Sequence, residues 1–302
     1  MSQMRIPWQC KIAVKLVLAR LPIKYQSWSN IGIFKHGAMK DPAYALKVFT
    51  THFERARPLL PTDKQLVGLE LGPGDSLSGA ILGATFGLGR VLLVDVGRFA
   101  SNDFTTYEAL IRFLQSRNLP TERYNDCHTI NEILSRSNTR YLTGGLRDLQ
   151  KIPDGSVDFV WSQAVLEHIR RAEFLPTMRE LRRILAPGGV ASHRIDLADH
   201  LGGALNNLRF RRTLWESSFW SSSGFYTNRI RYGEMLDLFH DAGFASDVVH
   251  VDRWEQVPTP RRKLDREFRN QRDQDLLVSG FDVILTPHTE GPAHFGVVDS
   301  YG

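Results

Sequence analysis

Two short apolar runs, QLVGLELG from Gln65 and RVLLVDV from Arg90, stand on either side of a glycine turn and the apolar stretch SLSGAILGATF. Runs that are apolar on both faces suit strands buried under helices in a parallel sheet, so the unit reads strand, glycine turn, helix, strand. The rhythm continues downstream. DFVWSQ reads as a strand after a turn at Pro153-Asp154-Gly155, and EFLPTMRELRRIL as a helix stopped by Ala186-Pro187-Gly188-Gly189. GGVASHRIDL supplies the next strand, YGEMLDLFHDAGF a helix with a glycine stop, and DVVHVDRW and LLVSGFDVILTP two further strands. The class is a doubly wound, Rossmann-like α/β fold.

Before the first strand, Asp41-Pro42 has the form of a helix start, with Asp as cap and Pro in the first turn of AYALKVFTTHFERA. Ile6, Cys10, Val14, Val17 and Leu21 recur at helical spacing and predict an earlier helix. Residues 1–62 are thus a helical extension and 63–302 the ligand-binding domain. From about 198 to 230 the alternation breaks into glycine, asparagine, serine and aromatics, which reads as an insertion over the rim of the sheet.

A chain of 302 residues that is 42% hydrophobic and 24% charged can bury a substantial core. Cys10 and Cys127 are its two cysteines, so no disulfide framework holds it together, and a reducing, cytoplasmic compartment is expected. Lys11, Lys15 and Arg20 interrupt the N-terminal apolar stretch, which has neither an export signal's cleavage pattern nor a spanning helix's length. The net charge of +5 is small for this length, and no zinc-ligand spacing, RNA-binding aromatic motif or long basic run accompanies it. Nucleic acid is not the expected partner.

The chemistry concentrates in Glu70-Leu71-Gly72-Pro73-Gly74-Asp75-Ser76, where two glycines let backbone approach a ligand that side chains would exclude. Asp95 ends the next strand, at the distance expected of a carboxylate that accepts from two ribose hydroxyls. A dinucleotide site would place a third glycine three positions beyond Gly74, where this chain has Leu77.

Several blocks in order resemble the class I S-adenosylmethionine-dependent methyltransferase superfamily: LELGPGDS, LLVDV, IPDGSVDFVWSQAVLEHI and MRELRRILAPGGV. The resemblance implies S-adenosylmethionine as cofactor and a seven-stranded sheet whose last strand is antiparallel, with LLVSGFDVILTP placed to be that strand. It puts Gly72 and Gly74 beside the methionine part of the cofactor with Glu70 and Asp75 close by, Asp95 on the ribose, and Ser162 and Gln163 on the floor near the sulfonium. Where many relatives carry Gly-Asp-Ala, with Asp on the adenine amino group, this chain has Gly144-Gly145-Leu146, so Leu146 offers backbone and apolar contact only. Asp148 nearby is read as a surface residue.

SHRIDLADH brings His193, Asp196, Asp199 and His200 to the region where acceptors sit in such a sheet. His193 is the candidate general base, against the alternatives that it makes a buried structural hydrogen bond and that Asp199 caps the following helix. Some relatives hold magnesium with a Glu-His pair like Glu167-His168, but their upstream glutamate is Ala164 here, and no metal is expected. Trp215, Phe219, Trp220, Phe225 and Tyr226, with Arg209, Arg211 and Arg212, suggest a lid over a ring-bearing, anionic acceptor, or else ordinary packing. SHRIDLADHLGGALNNLRF and GFYTNRIRY resemble bacterial methyltransferases of surface-polysaccharide synthesis, which implies a sugar or glycolipid acceptor and a basic first helix resting on a membrane surface, against the alternative that Ile6, Val14, Val17 and Leu21 cover one end of the sheet. Oxygen is the leading methyl acceptor, with nitrogen and carbon left open. The competing classes are a noncatalytic module that keeps the cofactor fold and a nicotinamide-dependent oxidoreductase.

Overall fold

The computed structural model describes Gln9, Ile12 and residues 38–288. The first long helix, α1 (Pro42–Ala56), begins as the Asp-Pro pair predicts, with the Asp41 carboxylate accepting from the Tyr44 N–H at 2.8 Å. Its apolar face, Ala45, Val48, Phe49, Phe53 and Ala56, is buried. Phe49 meets Trp161 edge to face and Phe53 meets Phe159, so α1 is packed onto the sheet rather than set apart from it. Burying each ring contributes about 1.5–3 kcal/mol.

Seven strands follow: β1 (Val67–Leu71), β2 (Arg90–Val94), β3 (Thr139–Leu142), β4 (Val157–Gln163), β5 (Leu185–Asp196), β6 (Phe244–Arg253) and β7 (Val278–Pro287). They form one sheet in the order β3-β2-β1-β4-β5-β7-β6. β7 lies antiparallel between β5 and β6, and the pairings among β1 to β5 are parallel. The expected seven-stranded sheet with a reversed last strand is the one observed.

Helices cover both faces. α1, α2 (Ser78–Thr85), α3 (Phe104–Gln115) and α4 (Ile130–Arg136) share one core with Leu93, Phe159 and Trp161. α5 (Arg171–Ile184) and α6 (Tyr232–Asp241) share the other with Leu69, Val160 and Phe281. All eight residues of α2 are buried, because it is wedged between the sheet and its helical neighbours. A Cβ on Gly83 would lie 2.6 Å from Val91 Cγ2, so glycine permits the close helix-to-strand approach.

One boundary differs from the sequence reading. Ala186-Pro187-Gly188-Gly189 does not separate helix from strand; β5 starts at Leu185, which pairs with Val157, and the glycines form an irregularity before Val190 rejoins Phe159. The segment between the β2 end and Gly144, left unassigned by the pattern, holds α3, α4 and the edge strand β3.

The segment between β5 and α6 contributes to a separate small core. Trp215, Phe225 and Tyr226 are buried with Leu201, and Phe210 and Trp220 pack against them. Trp215, Trp220, Phe225 and Tyr226 are thus packing, whereas Phe219 is 51% exposed and outside this cluster. The helix read at 6–21 lies outside the described residues except for Gln9 and Ile12, and Ile12 is buried in this same cluster. Among the described residues no helix is long and apolar enough to cross a membrane.

Candidate functional site

Between β1 and β4 the strand order reverses direction, and in open α/β sheets ligands collect there, beyond the carboxyl ends of the strands. Four loops meet at that end. After β1, Gly72 and Gly74 both take left-handed backbone, with φ of +71° and +66°. A Cβ on Gly72 would stand 2.6 Å from Val165 Cγ2, in the loop after β4. The turn is glycine for two independent reasons, conformation and space.

Asp95, just past β2, is buried and accepts from the Gly74 N–H at 3.1 Å and the Val96 N–H at 2.7 Å. Burial raises its pKa to about 6 despite these two bonds. Asp75 is likewise raised to about 6 by burial, with Lys40 pulling the other way, and its Oδ1 has no hydrogen-bond partner. Asp95 also ties in the third loop, because its carbonyl accepts from the Gly145 N–H at 2.8 Å. Val96 is 77% exposed beside Gly145, where a Cβ would come within 3.0 Å of Val96 Cγ1. Val96 and the partly buried Leu146 thus form an apolar lip. The sequence reading missed Val96; an apolar residue directly after a strand-end carboxylate was the available signal. Asp148 is committed to its own loop, accepting from the Gly144 N–H and the Lys151 ammonium, both at 2.7 Å.

Glu70 takes a different position from its neighbours in the motif. Its carboxyl is tucked under α2, where a Cβ on Gly79 would collide with Oε2, and is hydrogen-bonded to Trp161, while Oε2 is unpartnered. Burial raises its pKa to about 8. In the fold Glu70 therefore keeps a proton that the unfolded chain loses near pH 4.5, so its ionisation works against the fold as pH rises from about 4.5 to about 8. Glu70→Gln cannot ionise. Urea unfolding is expected to show the variant gaining on the parent by about 1.4 kcal/mol per pH unit within that window, with no gain below it. A constant difference from pH 5 to 9 would refute the buried, protonated state.

At the end of β4, Ser162 is wholly buried with its Oγ 2.7 Å from His193 Nδ1. His193 is also fully buried, and desolvation lowers its pKa to about 3. In this arrangement its ring reaches no acceptor, and its bond to Ser162 matches the structural alternative. Gln163 faces a cleft, and its Oε1 lies 3.1 Å from Nε2 of His52, whose Nδ1 lies 2.8 Å from Ser192 Oγ. The sequence reading did not single out His52. The next residue, Ala164, has φ of +53°, a strained conformation held by its N–H bond to the Arg194 carbonyl at 2.9 Å.

The cleft beside Gln163 measures about 620 Å³ and is bordered by Tyr44, Ala164, Arg194, Asp196, Asp252 and Arg253, among others. Arg194 bonds Asp252 and Asp282, and Asp196 accepts from the Ala198 N–H. Burial raises the Asp196 carboxyl above its ordinary range. Asp199 organises the next turn by accepting from the N–H groups of Leu201, Gly202 and Asn206, rather than capping a helix. Of the basic residues expected at a lid, Arg212 is paired with Glu267; the arginines bordering the cleft are Arg194 and Arg253.

Residues 122–192, from the turn before α4 to the middle of β5, match the family described as methyltransferase domain. No curated protein matches the sequence. Among solved structures, the chain is similar to the Burkholderia thailandensis 1,6-didemethyltoxoflavin-N1-methyltransferase with bound 1,6-didemethyltoxoflavin and S-adenosylhomocysteine. Identity is 13%, with 96% of this chain and 93% of that one covered and a TM-score of 0.45. It is also similar to an S-adenosylmethionine-dependent methyltransferase from Mesorhizobium loti, at 16% identity, 78% and 96% coverage and a TM-score of 0.41.

Proposed function

We propose that this chain transfers a methyl group from S-adenosylmethionine to a small molecule seated in the cleft beyond β4 and β5. The observation that carries the reading is the Asp95 carboxylate, fixed by the Gly74 and Val96 N–H groups at the sheet's switch point, within a chain whose residues 122–192 match a methyltransferase domain.

The residues present fit the cofactor. Asp95 would take the ribose hydroxyls, and the Val96–Leu146 lip would take the adenine face. Asp75, with one buried carboxylate oxygen unpartnered beside the glycine turn, suits the ammonium of the methionine part. Gly72 and Gly74 allow the backbone to approach, and Gln163 would border the methyl end. The cofactor supplies an already activated electrophile, a methyl on a sulfonium, so alignment and exclusion of water are the protein's main tasks.

We take the acceptor to be a hydroxyl compound, such as a sugar, methylated at oxygen. Tyr44 offers it a ring face and Arg253 a cation for an anionic group. Asp196 borders the cleft and is placed to take the proton that the attacking hydroxyl releases. His193, buried away from the cleft, holds Ser162 in place.

Calorimetric titration with S-adenosylhomocysteine, with NAD in a parallel run, tests the reading. One-to-one binding of the first alone is expected, and binding of NAD alone would overturn it. Ribose hydroxyls donate to the ionised Asp95, so affinity should be retained above pH 6 and fall about tenfold per unit below it. Affinity level from pH 7 to 5 would remove Asp95 from the site.

A further inference from the structure

The turn after β4 and the loop after β5 hold a group of side chains that the methyl-transfer reading does not use. Glu167, His168 and His200 each offer one ligand atom, and these atoms lie within 4.8 Å of one another. Glu167 is 1% exposed, and neither of its carboxylate oxygens has a hydrogen-bond partner. Burial and the Asp196 carboxylate oppose its charge, against the backbone N–H groups of Glu167 and Asp196 and the nearby Arg194 cation, which favour it. Arg194 is occupied by Asp252 and Asp282. A buried, unpartnered carboxylate is a costly feature unless something cationic belongs against it.

The surroundings are built to hold these groups still. Asn228 donates from its backbone to the Glu167 carbonyl at 2.7 Å and from its side chain to the Leu166 and Ile169 carbonyls, which locks the turn. His168 Nδ1 lies 2.9 Å from the Tyr226 carbonyl, a contact that fixes the orientation of the ring. His200 follows Asp199, whose carboxylate fixes its loop through three backbone N–H groups, and the two imidazoles meet edge to face at 4.8 Å.

We infer that Glu167, His168 and His200 form a binding site for a divalent transition-metal ion of the Zn²⁺ type. One carboxylate oxygen and two imidazole nitrogens suit such an ion and leave further coordination positions open. Ala164, Asp196 and Ala198, from the same two loops, border the acceptor cleft. An ion here takes an acceptor oxygen as an additional ligand, a role that rests on the methyl-transfer reading, whereas the ion site itself does not. The Glu-His pair alone left this hidden, because the third ligand comes from His200 rather than from the position of Ala164.

The full chain, stripped with a chelator, is titrated with ZnCl₂ by calorimetry, alongside Glu167→Gln, His168→Ala and His200→Ala. One equivalent of zinc is expected, held about tenfold or more weakly by each variant. Circular dichroism of the same samples reports whether each variant is folded, and S-adenosylhomocysteine titration reports separately on the methyl-transfer reading. Zinc binding with this variant pattern supports the site even where S-adenosylhomocysteine does not bind, so the two readings fail separately. No stoichiometric zinc binding by a chain that takes S-adenosylhomocysteine overturns the inference. So does zinc affinity unchanged by His200→Ala and Glu167→Gln but lost in His240→Ala, since His240 and His288 form a second imidazole pair with nitrogens 3.1 Å apart.

Discussion

Asp95→Ala is expected to weaken S-adenosylhomocysteine binding by about a hundredfold or more in a chain that still folds. Two ribose hydroxyls donating to an ionised carboxylate contribute about 1.5–3 kcal/mol each, and every 1.4 kcal/mol is a factor of ten. The variant also frees the Gly74 and Val96 N–H groups, which the carboxylate binds in the parent. This relaxes the turn that must meet the cofactor. Asp95→Asn keeps one acceptor oxygen and should fall between the two, without the pH dependence near 6. An unchanged dissociation constant in a folded Asp95→Ala chain would exclude the ribose role.

The second large effect belongs to Gly72. Its φ of +71° disfavours any side chain, and a Cβ would lie 2.6 and 2.7 Å from the two Val165 methyls. Left-handed backbone costs about 1–3 kcal/mol for a non-glycine residue, and overpacking a further 1–3 kcal/mol or so. Gly72→Ala should therefore lose roughly 2–4 kcal/mol of stability in urea unfolding and displace the turn from the cofactor. Val165→Ala in the same chain removes the steric part and leaves the conformational part. The pair should couple by about 1 kcal/mol or more, whereas strict additivity would mean that the two residues do not meet.

What could be read locally came from elements whose physics is local. β1, β2, β4 and β7 are apolar enough to be recognised as buried strands, and the Asp41-Pro42 cap declares the start of α1. β3 escaped because it is a four-residue edge strand with one buried residue, Thr139, and no apolar run to mark it. The start of β5 was misplaced because proline and two glycines punctuate sequence strongly, yet Leu185 before them already pairs with Val157. Lid and ordinary packing stayed open for the aromatics of the insertion because composition does not say which way a ring points. Trp215 is wholly buried, its indole N–H bonded to the Thr227 carbonyl at 2.7 Å.

The sequence by itself determined the fold class, the glycine turn and the carboxylate that follows the second strand, because each is a demand made within a few consecutive residues. Only the tertiary structure decided what depends on residues far apart. His52 finds Ser192 and Gln163 across separations of 140 and 111 residues. His193 is sealed inside the sheet by strands on both sides. His200 arrives beside Glu167 and His168 because β4 and β5 run parallel and end together, which brings the loops that follow them to the same edge of the sheet. Side-chain chemistry is written in the chain, but which groups share a desolvated space is settled by packing.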